Sequence, residues 1–256
     1  MDEQILKAQY ASADKLLTRI SLHEKYSTNK KGFGNWIFEQ YDLFPNAQIL
    51  ELGCGTGDMW LHQYHSLPGN CRLILSDFSE GMLKTAQKTL ENLKGITFSQ
   101  ADIQNIPYQN ESMDIVIANM MLYYVPDLHR ALSEVHRILK INGKFYCATY
   151  GEHGLNQYLQ KLLSEYGMVH KMNRNFTLQN GDLILSEHFS TIEKRCYEDA
   201  LDVTDTDDLL DYMMSLTSMS DCKNISREEI CQILEKRKTN GKIHIPKEYG
   251  IFISTK

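Results

Sequence analysis

One stretch constrains this chain more than any other: Gln48-Ile49-Leu50-Glu51-Leu52-Gly53-Cys54-Gly55-Thr56-Gly57-Asp58. Its apolar run predicts a short strand buried on both faces, as in a parallel sheet. The run ends in an acid, and glycines then occupy alternate positions. A helix is expected over 59–66. Strand, glycine turn and helix make a nucleotide-binding crossover, in which backbone approaches a ligand closely. The spacing is G-x-G-x-G; the dinucleotide fingerprint requires glycine where Asp58 stands. No Gly-Lys-Ser/Thr follows, which excludes a P-loop. An acid just before the glycines suits a ligand carrying positive charge better than a pyrophosphate.

Downstream spacing continues the alternation. A second strand is expected over 72–76, ending at Asp77-Phe78-Ser79. Asp77 lies twenty positions after Gly57, where an acid is placed to accept from ribose hydroxyls. Ser79 is a good N-cap for a helix over 80–92. Strands follow at 96–100, 113–118 and 145–150, with a helix from Leu128 to Leu139 between the last two. Asn142 and Gly143 suit the turn that closes it, since Asn tolerates left-handed backbone. Beyond them a helix is expected over 155–167 and a strand over 192–203. Ser226 and Glu229 form a capping box for a helix over 227–237, before a final strand near 243–253.

Length and charge narrow the function class. At 256 residues the chain holds one large α/β domain with accessory helices. A net charge of −6 disfavours a nucleic-acid substrate, which needs a basic surface. No apolar run approaches a membrane span. Met1-Asp2-Glu3-Gln4 lacks the basic and apolar regions of a signal peptide, so a cytoplasmic location is expected. The six cysteines form no C-x-x-C pair, and no metal site is expected. The acidic run Glu198, Asp199, Asp202, Asp205, Asp207, Asp208, Asp211 reads as a solvated face and helix N-terminus.

Glu51-Leu52-Gly53-Cys54-Gly55-Thr56-Gly57 resembles the first motif of class I S-adenosylmethionine-dependent methyltransferases. Asp102-Ile103 matches the family's adenine contacts, and His136 to Phe145 matches its pattern before the fifth strand, with Asn142 where glycine is common. The resemblance is strong over 47–150 and loose beyond. It implies a doubly wound, seven-stranded α/β sheet, mostly parallel with an antiparallel last strand, a helical insertion after strand 5 and an N-terminal helical lid. The implied division is 1–46 for the lid and 47–256 for the methyltransferase domain, with a substrate roof at 151–190.

The cofactor implied is S-adenosyl-L-methionine, with S-adenosyl-L-homocysteine as product. Its implied contacts are Glu51, Gly53, Cys54, Gly55, Gly57, Asp77, Phe78 against the adenine, Met82, Asp102, Ile103, Asn119, Met120 and, from the lid, Tyr26. Asn119-Met120-Met121-Leu122 lacks the Asn/Asp-Pro-Pro-aromatic signature of base-amino and glutamine methyltransferases. No cysteine follows a proline, so the cytosine-C5 nucleophile is missing as well. Leu122-Tyr123-Tyr124-Val125-Pro126-Asp127 instead resembles the branch acting on small molecules, including the ubiquinone and menaquinone enzymes. An RNA or protein methyltransferase, or a cofactor-binding protein without transfer, are the alternatives.

Methyl transfer is in-line attack on a sulfonium that already leaves well, so positioning and exclusion of water carry most of it. A general base is needed only if the nucleophile arrives protonated. His153, Tyr123, Tyr124, His23 and Tyr26 are the candidates. The segment from His23 to Trp36 mixes aromatic, polar and glycine residues that a helix interior does not favour. It is therefore expected to order over a ligand, with Gly32 and Gly34 as breaks before a helix over 36–41.

Overall fold

The computed structural model describes residues 14–166, 172–216 and 226–256. Ile5, Leu6 and Tyr10 of the expected N-terminal helices, and the end of the helix expected over 155–167, lie outside them. In chain order the elements are α1 (Asp14–Tyr26), α2 (Phe33–Phe38), β1 (Gln48–Leu52), α3 (Asp58–Gln63), β2 (Arg72–Asp77), α4 (Glu80–Thr89), β3 (Ile96–Gln100) and β4 (Met113–Ile117). Then come α5 (Leu128–Ile138), β5 (Leu139–Tyr150), α6 (Leu155–Ser164), α7 (Gly181–Ser186), β6 (Thr191–Val203), α8 (Thr206–Ser215), α9 (Arg227–Glu235) and β7 (Ile243–Thr255).

The strands form one seven-stranded sheet in the order β3-β2-β1-β4-β5-β7-β6. β1 to β5 pair in parallel. β7 lies antiparallel between β5 and β6. This is the seven-stranded, mostly parallel sheet that the resemblance implies, and its antiparallel strand β7 lies inside the sheet. β1 and β4, at the middle of the parallel part, are covered on both faces, which is why β1 reads as a nearly continuous apolar run. Ile49, Leu73, Ile115 and Tyr146 face one core, with Trp60 of α3 against them. Leu50, Val116, Phe145 and Phe252 face the other, with Leu132 and Val135 of α5.

Several boundaries differ from expectation for local reasons. α3 stops at Gln63 and tightens into one 3₁₀ turn, Tyr64–Ser66, ahead of Pro68. β5 begins at Leu139, directly after α5. Asn142 sits in the left-handed region (φ 62) and the pairing register with β4 shifts there. Of the two glycines expected to break the N-terminal segment, only Gly32 does so, at φ 79 ahead of α2. Gly34 lies inside α2, where the packing of Phe33 and Trp36 on Tyr197 outweighs its poor helix propensity. His23 and Tyr26 belong to the last turns of α1 and not to an irregular segment.

β6 and β7 are each 13 residues long, but β5 covers only Tyr249–Thr255 of β7. Ile243–Glu248 and Glu198–Val203 therefore run on as a two-stranded arm. α1, α6, α8 and α9 wrap it and bury a separate core that includes Leu22, Leu159, Leu201, Leu210, Leu234 and Ile245. At its root Lys247 Nζ donates to Asp199 at 2.5 Å and to Ser27 at 3.0 Å. The Asn29 backbone amide also donates to Asp199, at 2.9 Å. The two charged side chains are 1% and 0% exposed. The acidic run is thus not simply a solvated face: Asp199 is buried in an ion pair, and Asp208 holds Lys25 and Tyr26 of α1. Asp205 does cap a helix, accepting from the Asp207 amide at the start of α8.

Candidate active site

The sheet order reverses between β1 and β4, and the carboxyl ends of β1, β2 and β4 open there on a cavity of about 330 Å³. Such a switch point is where α/β sheets bind ligands. The turn after β1 gains its shape from glycines at φ 74, 58 and 75 (Gly53, Gly55, Gly57). A Cβ at Gly53 would stand 2.9 Å from Cγ of Met121, so the backbone lies against the turn after β4 with no space for a side chain. Across the crevice Met120 also takes left-handed backbone, at φ 53, with its amide donating to Ala148 at 2.8 Å. A non-glycine residue held there costs energy, and such residues cluster at ligand sites.

Glu51 lines the floor and is 5% exposed. Its carboxylate accepts from Trp60 Nε1 at 2.5 Å and from Asn119 Nδ2 at 3.5 Å. Burial pushes its pKa up to about 7, the nearby Asp77 adds to that, and the Trp60 and Asn119 hydrogen bonds oppose it. Asp77 accepts from the Gly55 amide at 2.9 Å and the Ser79 amide at 2.8 Å. It therefore shapes the glycine turn and the entry to α4 at once, while burial raises its pKa. Each carboxylate oxygen has a second acceptor site, so ribose hydroxyls still have places to donate. Asp102 lines the far end, oriented by the Gln104 amide at 2.9 Å. Asn119 donates to Tyr41 Oη at 2.6 Å, and its Oδ1 is buried without a partner.

The lining holds four carboxylates, Glu51, Asp58, Asp77 and Asp102, and no Lys, Arg or His among the described residues. That composition repels a pyrophosphate and suits a cationic, hydroxyl-bearing nucleoside. Residues 43–239 match the family described as a methyltransferase domain. The chain belongs to that family. Demethylmenaquinone methyltransferase of Lactobacillus johnsonii is 32% identical over 138 residues, 50% of this chain and 57% of its own. Ubiquinone/menaquinone biosynthesis C-methyltransferase of Rickettsia akari is 34% identical over 113 residues, 42% of this chain and 46% of its own. The chain spans about half the length of these curated relatives. The solved [4+2]-cyclase SpnF superposes with a TM-score of 0.61 at 16% identity, covering 98% of this chain and 95% of its own, and so shares the fold.

The methyltransferase cofactor, S-adenosylmethionine, fits the lining. Glu51, Asp77, Asp102 and the orphaned Asn119 Oδ1 supply the hydrogen-bond acceptors that a cationic, hydroxyl-bearing nucleoside needs. Cys54, Phe78, Met82, Ile103 and Met120 border the same space. Burial drives the Cys54 thiol far above its ordinary pKa. Gly57 does not border the cavity; a Cβ there would meet Leu90 Cδ1 at 2.9 Å, so its role is to let α4 close in. Tyr26 does not reach the site either, because its hydroxyl donates to Asp208 at 2.5 Å on the arm.

The proton-transfer candidates are not brought together. His153 is exposed, and its backbone amide donates to Glu248 at 2.7 Å. His23 is half-buried, edge-on to Tyr212 and Tyr249, with Nε2 3.2 Å from Tyr249 Oη. Burial, with the Lys247 charge adding, lowers its pKa to about 3. Tyr123 packs between Tyr124 and Tyr150. Of the five, Tyr124 alone borders the cavity, and no described residue of 151–190 does. The cover instead comes from Leu16 and Ile20 of α1 and from Gly34 and Ile37 of α2. Leu16 and Ile20 have i, i+4 spacing, which marks an apolar helix face; nothing local in the sequence says what that face covers.

Proposed function

We propose that the protein transfers a methyl group from S-adenosylmethionine to a small-molecule acceptor, with S-adenosylhomocysteine as product. The observation that supports this most is the acidic, base-free lining against the glycine turn. When bound, the cofactor supplies the electrophilic methyl; the chain holds and orients it and keeps water out. Glu51 and Asn119 hold the amino-acid end, Asp77 the ribose and Asp102 the adenine, with Ile103 and Phe78 against the ring. In this reading α1 and α2 form the lid, and residues 1–46 act with the domain at 47–256.

Tyr124 is the one titratable group from the candidate bases at the cavity, and a tyrosine is a poor base near neutral pH. The acceptor class that best suits such a site arrives already ionised or enolic, a carboxylate or an acidic carbon. The names of the relatives agree: one is a C-methyltransferase and another, from Legionella pneumophila, is a malonyl-[acyl-carrier protein] O-methyltransferase, 26% identical over 65% of this chain and 59% of its own. Calorimetry with S-adenosylmethionine tests the cofactor. A labelled-methyl assay against metabolite, RNA and protein fractions tests the acceptor. Label in the metabolite fraction supports the reading; binding of the donor with no transfer to any fraction points to a cofactor-binding protein, and no donor binding overturns the reading altogether.

A further inference from the structure

α5 and α7 bring three metal-ligating side chains together outside the methyl-donor cavity. His129 stands in the first turn of α5, and Glu187 and His188 directly follow α7. One donor atom from each lies within 4.8 Å of the other two, and none of the three residues borders the cavity. The His129 and His188 rings are 4.6 Å apart between centroids, and His129 Nδ1 is 3.7 Å from Glu187 Oε2. Nε2 of His188 is buried without a hydrogen-bond partner.

Two imidazole nitrogens and one carboxylate oxygen are the donor set of open zinc sites, with water in the fourth position. Tetrahedral zinc with bonds of about 2.0–2.1 Å holds its ligand atoms about 3.4 Å apart. Closing to that distance takes rotations of His129 and Glu187, which are free to make them at 72% and 62% exposure. We propose that His129, Glu187 and His188 form a binding site for a borderline first-row divalent cation of the Zn²⁺ class. The ion bridges the end of α7 to the start of α5. Asp127 caps α5, and Val125 and Pro126 just before it border the cavity, so the ion fastens the insertion after β5 to the turn that carries the crevice wall.

The test uses the untagged full chain, stripped with a chelator and titrated with Zn²⁺ by calorimetry and with Co²⁺ by visible absorption. The expected result is one ion per chain with a Kd of about 10 μM or tighter, and the d–d bands of four-coordinate cobalt. His129→Ala and Glu187→Gln alter exposed side chains; each is expected to weaken binding at least about tenfold, or 1.4 kcal/mol. Unchanged S-adenosylmethionine binding and unfolding midpoints in the two variants, measured without metal, keep misfolding out of the comparison. No saturable binding below about 100 μM overturns the proposal. Binding that both variants retain overturns it too, because the ion then sits on others of the nine histidines.

Discussion

The crevice and the arm are held together over very different distances along the chain. At the crevice Glu51 meets Trp60 nine residues on, Asp77 meets Ser79 two residues on, and Gly55 is 22 residues before Asp77. In the arm His23 meets Tyr249 across 226 residues, Ser27 meets Lys247 across 220, and Arg19 meets Ser215 across 196. The floor of the crevice is a local device of two adjacent βα units, against which Asn119 of the β4 end sets its amide 68 residues from Glu51. The arm exists only once the first helix, the insertion and the last strand have found one another. Yet the arm's α1 supplies Leu16 and Ile20 to the cavity wall, so the local device is closed by the non-local one.

The largest effect should come from breaking the arm at its root. Lys247→Met leaves Asp199 buried without its cation; burial pushes that carboxyl up, and the Lys247 and Asn29 hydrogen bonds with the Lys247 charge together hold it below its ordinary pKa. The expected cost is about 3–5 kcal/mol in urea unfolding, because one partner of a buried pair is removed. Donor affinity per folded molecule should change far less. An equal loss of both would show that crevice and arm are one cooperative unit.

Next is Asp77→Ala, which removes the proposed ribose acceptor and frees the Gly55 and Ser79 amides. Hydrogen bonds to a charged group contribute about 1.5–3 kcal/mol each, so S-adenosylmethionine should bind about ten- to a few hundredfold more weakly. Calorimetry that finds unchanged affinity would remove Asp77 from the cofactor site.

A smaller effect should appear as pH dependence at Glu51. Its folded pKa, about 7, lies above its ordinary value. The protonated form is therefore the one that the empty fold favours, and stability should fall as pH rises from the ordinary carboxylate range to about 7. A cationic ligand favours the ionised form instead, so donor affinity should rise about tenfold between pH 6 and 8. Glu51→Gln should flatten that profile; a wild-type profile that is already flat would mean the cation does not sit beside Glu51.

The subtlest effect concerns the cover. Amides of α1 around Leu16 and Ile20 should exchange more slowly with S-adenosylmethionine bound, while those of β1 should not change. Equal exchange of α1 with and without ligand would make it a static wall.

The glycine turn, Asp77, Asp102-Ile103 and the Asn119-Met120 strand end were legible because each depends on a few residues at fixed spacing beside a short apolar strand. The same reading misplaced Tyr26, since a polar aromatic tip does not announce its partner; Asp208 is 182 residues away. It also took Asp199 for a solvated acid, because nothing near 199 shows that Lys247 will be buried against it. His153 was a candidate base, yet it stands exposed, with its backbone amide on Glu248 and outside the cavity lining.

By itself the sequence determined the parallel half of the sheet, its order of strands and helices, and an acidic nucleoside crevice at the end of β1. Those features follow from hydrophobic period, from backbone that only glycine adopts easily, and from carboxylates at set distances, all of them local properties. Only the tertiary structure decided that β6 and β7 outrun the sheet and that α1 crosses to them. It also decided that the wall over the cavity comes from Leu16, Ile20, Gly34 and Ile37 and not from any described residue of 151–190. The physical reason is that burial of an apolar face is non-directional: the face is visible in the sequence, and its partner is chosen by the packing of the whole chain.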